Sequence, residues 1–246
     1  MKGFILAAGI GSRLKPWTDH HPKALAPVDG IPMLQRVVEK MYQSGISDIT
    51  INVYHFADQI IDFIRSKGWN INISDERQQL LETGGAILHA SRFMEGEQPV
   101  LVHNADILSN ADFTQLEKAF KESRAAATLL VSPRESSRKL IFNPEMSLIG
   151  WHSLKNDSYK PEDFKPSKLD REFAFSGIYI ISPKLPEKIK SQGFEGRFSI
   201  MDYFLDTLKE NRYSGILKED LRLIDIGKPD TLETANELLK TGRGFE

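Results

Sequence analysis

Residues 4–13 read FILAAGIGSR, an apolar run that passes directly into a loop of small residues. The run at residues 4–7 is typical of a buried β-strand. Glycine and alanine let the backbone approach a ligand closely, and consecutive N–H groups in such a turn form an anion-binding concavity. The stretch therefore predicts a strand followed by a loop that fits a phosphate group.

Two familiar glycine-rich loops do not match this stretch. The dinucleotide fingerprint requires a third glycine where Leu14 stands, and no Gly-Lys-Ser/Thr follows to make a P-loop. A lone G-x-G pair is by itself more typical of a plain strand-to-helix turn. Two cations follow the loop, however. Arg13 offers a planar fork for phosphate oxygens and Lys23 a compact charge, a pair that suits a triphosphate.

The rest of the chain alternates strand-like and helix-like patterns. Over the first ninety residues, short apolar runs alternate with amphipathic segments, as in βαβ units around a mainly parallel sheet. After residue 123, strand-like pieces separated by polar turns predict an antiparallel extension. We therefore expect an α/β fold with a Rossmann-like mixed, mainly parallel sheet flanked by helices and a small antiparallel extension. One domain is expected over residues 1–246.

The individual elements follow from the spacing of apolar residues. Strands are predicted at residues 4–7, 49–53, 71–73, 99–103, 125–131, 140–142, 148–151, 173–181 and 221–226. Helices are predicted at residues 33–41, 60–68, 112–123, 185–190, 199–210 and 231–240, with Asp112 and Ser199 placed as N-caps. The polar segment 156–168 is expected to be a surface loop, and the glycine-containing tail after residue 240 is expected to fray.

Composition and charge argue against several classes of protein. The 246 residues carry a formal net charge of -2, so no global positive field is available to hold a nucleic-acid backbone. Cysteine is absent, which removes disulfides and thiolate sites and suits the cytoplasm. No apolar stretch approaches the roughly 18 residues that a spanning helix needs. We expect neither nucleic acid nor a membrane as a partner.

Two aspartates stand where a ligand site is expected. Asp106 follows the strand at 99–103, at the edge where open α/β sheets bind ligands, although an aspartate that caps a turn is an equally good interpretation. Asp225 stands in an apolar strand, where an unpaired charge is costly. A metal ion resolves that cost, and so does a salt bridge to Lys228 or Arg222. Mg²⁺ requires few carboxylates, so two aspartates suffice.

The segments LAAGIGSR at 6–13 and PKALAP at 22–27 together resemble the signature of the sugar-1-phosphate nucleotidyltransferases. By this resemblance the two catalytic residues are Arg13 and Lys23. Arg13 would hold the pyrophosphate leaving group. Lys23 would stabilise charge on the α-phosphoryl group and bridge toward the incoming sugar phosphate.

The resemblance also implies the binding residues. Asp106 and Asp225 would be ligands of Mg²⁺. The residues implied to contact the nucleotide are Ala8, Gly9, Gly11, Glu82, Gly84, Gly85 and Asn104, and those implied to contact the sugar are Glu172, Ser176 and Gly177. On this basis residues 1–110 are mainly nucleotide-binding and residues 111–230 mainly sugar-binding.

The chain departs from many members of that family at the sugar phosphate. No Glu-Lys-Pro triplet precedes the strand at 173–181, and in those relatives the lysine of the triplet grips the sugar phosphate. Lys165, Lys168 and Arg171 lie nearby in the sequence but are more typical of solvated loop charges. The cation that binds the sugar phosphate is therefore left unassigned by the sequence.

The reaction implied by the resemblance joins a nucleoside triphosphate to a sugar 1-phosphate, giving an NDP-sugar and pyrophosphate. The chain resembles most the N-acetylmuramate-1-phosphate uridylyltransferases, with UTP as donor, and nearly as well the mannose-1-phosphate guanylyltransferases, with GTP. A non-catalytic nucleotide-sugar sensor is the alternative from another class. The intact set of two cations and two aspartates argues against the sensor. The sequence does not indicate an oligomeric state.

Overall fold

The computed structural model describes residues 1–240 and residue 245. In this part of the chain the strands are β1 (Lys2–Leu6), β2 (Pro27–Val28), β3 (Ile31–Pro32), β4 (Ile49–Val53), β5 (Asn72–Asp75), β6 (Val100–Asn104), β7 (Ile107–Ser109), β8 (Ala127–Ser132), β9 (Arg138–Phe142), β10 (Leu148–Ser153), β11 (Ser158–Lys160), β12 (Arg171–Ile181), β13 (Tyr213–Leu217) and β14 (Leu223–Asp225). The α-helices are α1 (Met33–Gln43), α2 (Ala57–Ser66), α3 (Glu82–His89), α4 (Phe113–Ser123), α5 (Leu185–Ser191), α6 (Ile200–Asp206) and α7 (Pro229–Lys240). None of the helices described is both long and apolar enough to cross a membrane.

A central mixed sheet organises the fold, and its main path runs β11-β10-β9-β12-β6-β1-β4-β5. β1 pairs in parallel with β4 and β6, and β4 pairs in parallel with β5. β12 runs antiparallel to β6, β8 and β9, and β13 joins β8 in parallel. The predicted α/β fold, with a parallel part and an antiparallel extension, is confirmed.

Helices cover both faces of this sheet. Successive residues of a strand point to opposite faces, so Phe4 and Ile5 of β1 belong to two different core clusters. Helices α1, α2 and α4 pack in the cluster of Ile5, and α3, α5 and α6 pack in the cluster of Phe4. Because both faces are covered, all five residues of β4 are buried.

The two predicted helix caps are confirmed. The Asp112 carboxylate accepts the backbone N–H groups of Thr114 at 2.9 Å and Gln115 at 3.0 Å. The Ser199 hydroxyl accepts the N–H of Met201 at 3.2 Å. Each cap satisfies donors that the first helical turn cannot pair internally, which explains where α4 and α6 begin.

Two expectations for the second half of the chain need correction, and one strand was missed. The segment 156–168 contains β11, which pairs antiparallel with β10. Its polar residues at a sheet edge carry no apolar alternation that could predict a strand. Helix α6 ends at Asp206 and not at residue 210, and β13 was not predicted. The expected fraying of the tail concerns residues 241–246, of which only residue 245 is described.

One buried histidine makes the stability of this fold dependent on pH. His103 of β6 is fully buried, its Nδ1 donates to the carbonyl of Asn104 at 2.8 Å, and burial lowers its pKa from 6.5 to about 4. Between these values the unfolded chain binds a proton that the folded chain does not bind. The free energy of unfolding therefore falls as the pH drops from 6.5 to 4, by about 3 kcal/mol in total.

We expect urea denaturation of the wild type and of His103→Leu at several pH values to show this difference. The pH dependence between 6.5 and 4 should be weaker in His103→Leu, because that variant lacks the titrating ring. His20→Gln, which changes an exposed histidine, is the control and should follow the wild type. Equal slopes for the wild type and His103→Leu would contradict the assignment.

Candidate active site

The loop after β1 presents unpaired backbone donors. The N–H of Ala7 donates to the Asn52 side chain at 2.7 Å. The next four N–H groups, those of residues 8–11, have no hydrogen-bond acceptor among the described residues. Gly11 has a φ of 69°, and a Cβ there would lie 2.9 Å from Cβ of Lys23. The loop is thus packed against Lys23 with its amide groups free to bind an anion.

Strand pairing brings the two predicted aspartates to the same place. Asp106 lies between β6 and β7, and Asp225 ends β14, which pairs antiparallel with β7. The N–H of Ile226 donates to the Asp106 carbonyl at 3.0 Å. The buried ammonium of Lys23 contacts Asp106 Oδ2 in a close ion pair and lies 3.5 Å from Asp225 Oδ1. One cation therefore joins both carboxylates.

Arg13 also belongs to this charged group, because its guanidinium lies beside Gly227 together with Lys23 and Asp225. A Cβ built on Gly227 would lie 2.8 Å from Asp225 Oδ1, 3.0 Å from Arg13 Nη2 and 3.1 Å from Lys23 Nζ. The two cations and two acids singled out from the sequence are thus brought together, and we call Arg13, Lys23, Asp106 and Asp225 the charged cluster. Because Gly227 has no side chain, the ends of the neighbouring charged side chains can occupy the space beside it.

The expectation for Asp225 needs correction in one respect. Its position in an apolar strand predicted burial, but the side chain is 49% exposed because β14 lies in a two-stranded ribbon with β7 outside the main sheet. The carboxylate accepts the N–H of Gly227 at 2.7 Å and pairs with Lys23. A metal is therefore not needed to relieve burial of this acid.

Two pockets meet at the charged cluster. The first, the loop pocket, has a volume of about 370 Å³ and is lined by residues that include Ala8, Gly9, Lys23, Asn52, Glu76, Glu82, Thr83, Asn104 and Asp106. The second, the β12 pocket, has a volume of about 510 Å³ and is lined by residues that include Asn104, Arg134, Ser136, Phe175, Ser176, Gly177 and Asp225. Asn104 lines both pockets. Lys23 contacts both Asp106, which lines the loop pocket, and Asp225, which lines the β12 pocket. Lys23 therefore lies at the boundary between the two pockets.

The loop pocket contains a buried polar network that the sequence did not reveal. Glu76 follows β5, and its carboxylate accepts the Asn52 side-chain amide at 2.8 Å and the N–H of Leu81 at 3.4 Å. Burial raises the pKa of Glu76. Both polar residues lie at the carboxyl ends of parallel strands, and that position was the signal available in the sequence.

The segment 82–85 divides between the pocket and the core. Glu82 and Thr83 line the loop pocket. A Cβ on Gly84 would lie 2.2 Å from the Phe198 ring, and one on Gly85 would lie 2.1 Å from the Gly196 carbonyl. Side chains at residues 84 and 85 would collide with segment 196–198, so glycine at both positions allows that segment to pack here. The geometry does not bring them to the loop pocket, and their predicted nucleotide contact stays a prediction.

The predicted sugar-side residues are also divided. Ser176 and Gly177 line the β12 pocket. Gly177 has a φ of 76°, and a Cβ there would lie 2.7 Å from Asn104 Nδ2, so the glycine lets Asn104 approach. Glu172 lies elsewhere, where its carboxylate pairs with His152 at 2.9 Å. The structure does not bring Glu172 to either pocket, and its contact with a sugar stays a prediction.

The arrangement is suited to binding charged groups rather than to holding a metal ion in a preformed set of ligands. Within residues 1–240 and residue 245, no group of three or more histidine, cysteine, aspartate or glutamate side chains is placed to hold a metal ion. Asp106 and Asp225 supply two hard oxygen donors around one cation position. The loop amides, Arg13 and Lys23 supply positive charge, so the site can bind and neutralise phosphate groups.

Comparison with known proteins identifies the family of this chain. The nucleotidyl transferase family model matches residues 2–242. N-acetylmuramate alpha-1-phosphate uridylyltransferase of Neisseria meningitidis is 33% identical, over 97% of this chain and 98% of its own length. The enzyme of the same name from Caulobacter vibrioides is 29% identical, over 92% and 91%. Mannose-1-phosphate guanyltransferase of Yarrowia lipolytica is 28% identical, over 77% of this chain and 51% of its own length.

Solved structures agree in fold. The inositol-1-phosphate CTP transferase of T. maritima superimposes with a TM-score of 0.76, covering 97% of this chain and 94% of its own, at 16% identity. At that identity the likeness supports the architecture alone. The family match, in contrast, spans nearly the whole sequence and includes the loop, both cations and both aspartates. The chain belongs to the nucleotidyl transferase family and is a transferase.

Proposed function

We propose that this protein transfers a nucleotidyl group from a nucleoside triphosphate to a sugar 1-phosphate, releasing pyrophosphate. The observation that carries the proposal is the position of Lys23, whose ammonium contacts Asp106 and Asp225 where the loop pocket meets the β12 pocket. A direct transfer between two substrates requires both to be held side by side, and two adjoining pockets meet this requirement. The charged cluster lies where these pockets meet.

The triphosphate is assigned to the loop pocket. The free N–H groups of Ala8, Gly9 and Gly11 would face its phosphates, and Arg13 would hold the pyrophosphate as it leaves. Glu82 and Asn104, which line this pocket, would contact the nucleotide. The family resemblance also implies a contact for Gly84 and Gly85, which lie beside segment 196–198 and outside the lining of this pocket.

The division into a nucleotide-binding part, residues 1–110, and a sugar-binding part, residues 111–230, belongs to the same proposal. Ser176 and Gly177 would face the sugar in the β12 pocket. Glu172, implied by the resemblance, pairs with His152 outside both pockets.

The reaction is a direct displacement. An oxygen of the sugar phosphate attacks the α-phosphorus in line, a new P–O bond forms, and the bond to pyrophosphate breaks. The attacking oxygen is already ionised, so little proton transfer has to be managed. The work of the protein is positioning and charge neutralisation by Arg13 and Lys23. Lys23 is buried, and a charge in such surroundings is screened little by water.

Asp106 and Asp225 fit a Mg²⁺ ion. Both are hard oxygen donors that already share one cation, and Mg²⁺ takes few carboxylates together with water and substrate phosphates. When bound, the ion would neutralise negative charge on the phosphates. Asp106 and Asp225 would hold it where the two pockets meet.

The preferred substrate pair is UTP with N-acetylmuramate 1-phosphate. Two relatives with the corresponding name, at 33% and 29% identity, align over more than nine tenths of both chains. GTP with mannose 1-phosphate is the second candidate, because a guanyltransferase is 28% identical over 77% of this chain. A cytoplasmic location and the absence of nucleic-acid and membrane partners stay predictions.

The direct test is pyrophosphate release measured over a grid of nucleoside triphosphates and sugar 1-phosphates with Mg²⁺. We expect the highest rate with UTP and N-acetylmuramate 1-phosphate. The highest rate with GTP and mannose 1-phosphate would select the second candidate. No release with any pair would refute the enzyme assignment and favour the non-catalytic sensor.

Changing either aspartate should remove most of the turnover. Asp106→Asn and Asp225→Asn each delete one carboxylate charge, and we expect each to lower kcat at least about 100-fold. Both variants should remain folded at the assay temperature, although losing a partner of Lys23 should lower the thermal unfolding midpoint. Asp62→Asn, which changes an exposed aspartate of α2, is the matched control. Wild-type rates in both site variants would contradict the assignment.

Filling the space at residue 227 should impair the site without unfolding the protein. The added methyl group of Gly227→Ala meets the ends of Asp225, Arg13 and Lys23 at 2.8 to 3.1 Å, and such side-chain ends can shift. We expect turnover to fall about tenfold, because displaced charges neutralise the phosphates less well. Stability should change little in circular dichroism melting. Unchanged turnover would mean that the close approach of Asp225, Arg13 and Lys23 at this point does not matter for the reaction.

A further inference from the structure

The β12 pocket contains a cation that the sequence did not single out. Arg134 lies two residues after β8, in the turn that leads to β9. Its Nη2 donates to the carbonyl of Phe175 in β12 at 2.7 Å, and its Nη1 donates to the carbonyl of Glu135 at 3.3 Å. The side chain thus crosses from the β8–β9 turn to the wall of the pocket.

The charge of Arg134 is incompletely compensated. Its Nε is buried and has no hydrogen-bond partner among the described residues. No described carboxylate forms an ion pair with the guanidinium. Burial lowers the pKa of Arg134, and Asp225 raises it from across the pocket. A partly buried guanidinium without a carboxylate partner is costly unless an anion can reach its exposed part.

Arg134 is also the only cation among the described residues that line the β12 pocket, and Asp225 is the only acid. The three cations considered from the sequence, Lys165, Lys168 and Arg171, are exposed and do not line it. A dianionic phosphate that enters the pocket therefore meets one positive side chain there. The next positive side chain is that of Lys23, at the boundary with the loop pocket.

We infer that Arg134 binds the phosphate of the sugar 1-phosphate and positions it for attack on the α-phosphorus. This inference rests on the proposed function. Each Nη group of Arg134 keeps one N–H beyond its bond to a carbonyl, and the phosphate would accept from these while it lies between Arg134 and the charged cluster. Arg134 thereby takes the place that the missing Glu-Lys-Pro lysine leaves open. It is a substrate-binding residue, while Lys23 acts at the transferred group.

The test separates this role from a purely structural one, since Arg134 also anchors β12 through Phe175. In Arg134→Gln we expect the KM for the sugar 1-phosphate to rise about 30-fold or more, with the KM for the nucleoside triphosphate within about twofold of the wild type. Arg134→Lys keeps the charge but loses the fork and should show a rise of about fivefold. Arg138→Gln, at an exposed arginine of β9, is the control and should match the wild type.

A binding measurement gives a second readout. Isothermal titration calorimetry with N-acetylmuramate 1-phosphate and with unphosphorylated N-acetylmuramate should show that Arg134→Lys weakens binding of the phosphorylated sugar only. Equal weakening for both sugars would assign Arg134 to a part of the sugar other than the phosphate and overturn the inference. Unchanged KM values with a lowered melting temperature would overturn it in favour of a structural role.

Different outcomes would refute the proposed function and the role of Arg134. An inactive wild type with every substrate pair would refute the proposed function, and the calorimetric comparison would still decide on Arg134. An active wild type whose Arg134→Lys variant keeps a normal KM for the sugar 1-phosphate would refute this inference alone. If Arg134→Gln does not fold, Arg134→Lys carries the decision.

Discussion

The contact of one buried ammonium with two carboxylates is the constraint on which the site depends. Lys23 has little access to water, so its charge is stable only where acids surround it. Asp106 comes from the end of β6, and Asp225 arrives through the pairing of β14 with β7. The small ribbon outside the main sheet thus has a clear role. It brings Asp225 close to Asp106, and the two pockets meet at that position.

The same contact links the fold to the two chambers. The β1 loop and the end of β6 are neighbours because β1 and β6 pair in parallel, and the carboxyl ends of such strands share one edge of the sheet. β12 closes the other chamber with a bulge at Gly177, whose positive φ and missing side chain admit Asn104. Asn104 thus forms a wall common to both pockets. Arg134 reaches that second chamber by bonding to the irregular part of β12.

Local patterns predicted much of this. Apolar spacing located the strands of the parallel half, and Asp112 and Ser199 began helices as their N-cap chemistry requires. The loop, both cations and both aspartates were found because each follows a strand or stands in a family motif. The errors have physical causes as well. β11 is a polar edge strand without alternation, and the glycines at 84 and 85 make room for a segment more than a hundred residues away.

The sequence by itself determined the α/β class, the phosphate-shaped loop after β1 and the identity of the four charged residues, because periodicity and short motifs are properties of neighbouring residues. Only the tertiary structure decided that Arg13, Lys23 and Asp225 meet beside Gly227 and that Asp106 pairs with Lys23. It also decided that Asp225 is half exposed, that Glu172 lies with His152, and that Arg134 lines the second pocket. Those facts depend on which strands pair and how far a side chain reaches. No local pattern encodes a contact between residues so distant along the chain.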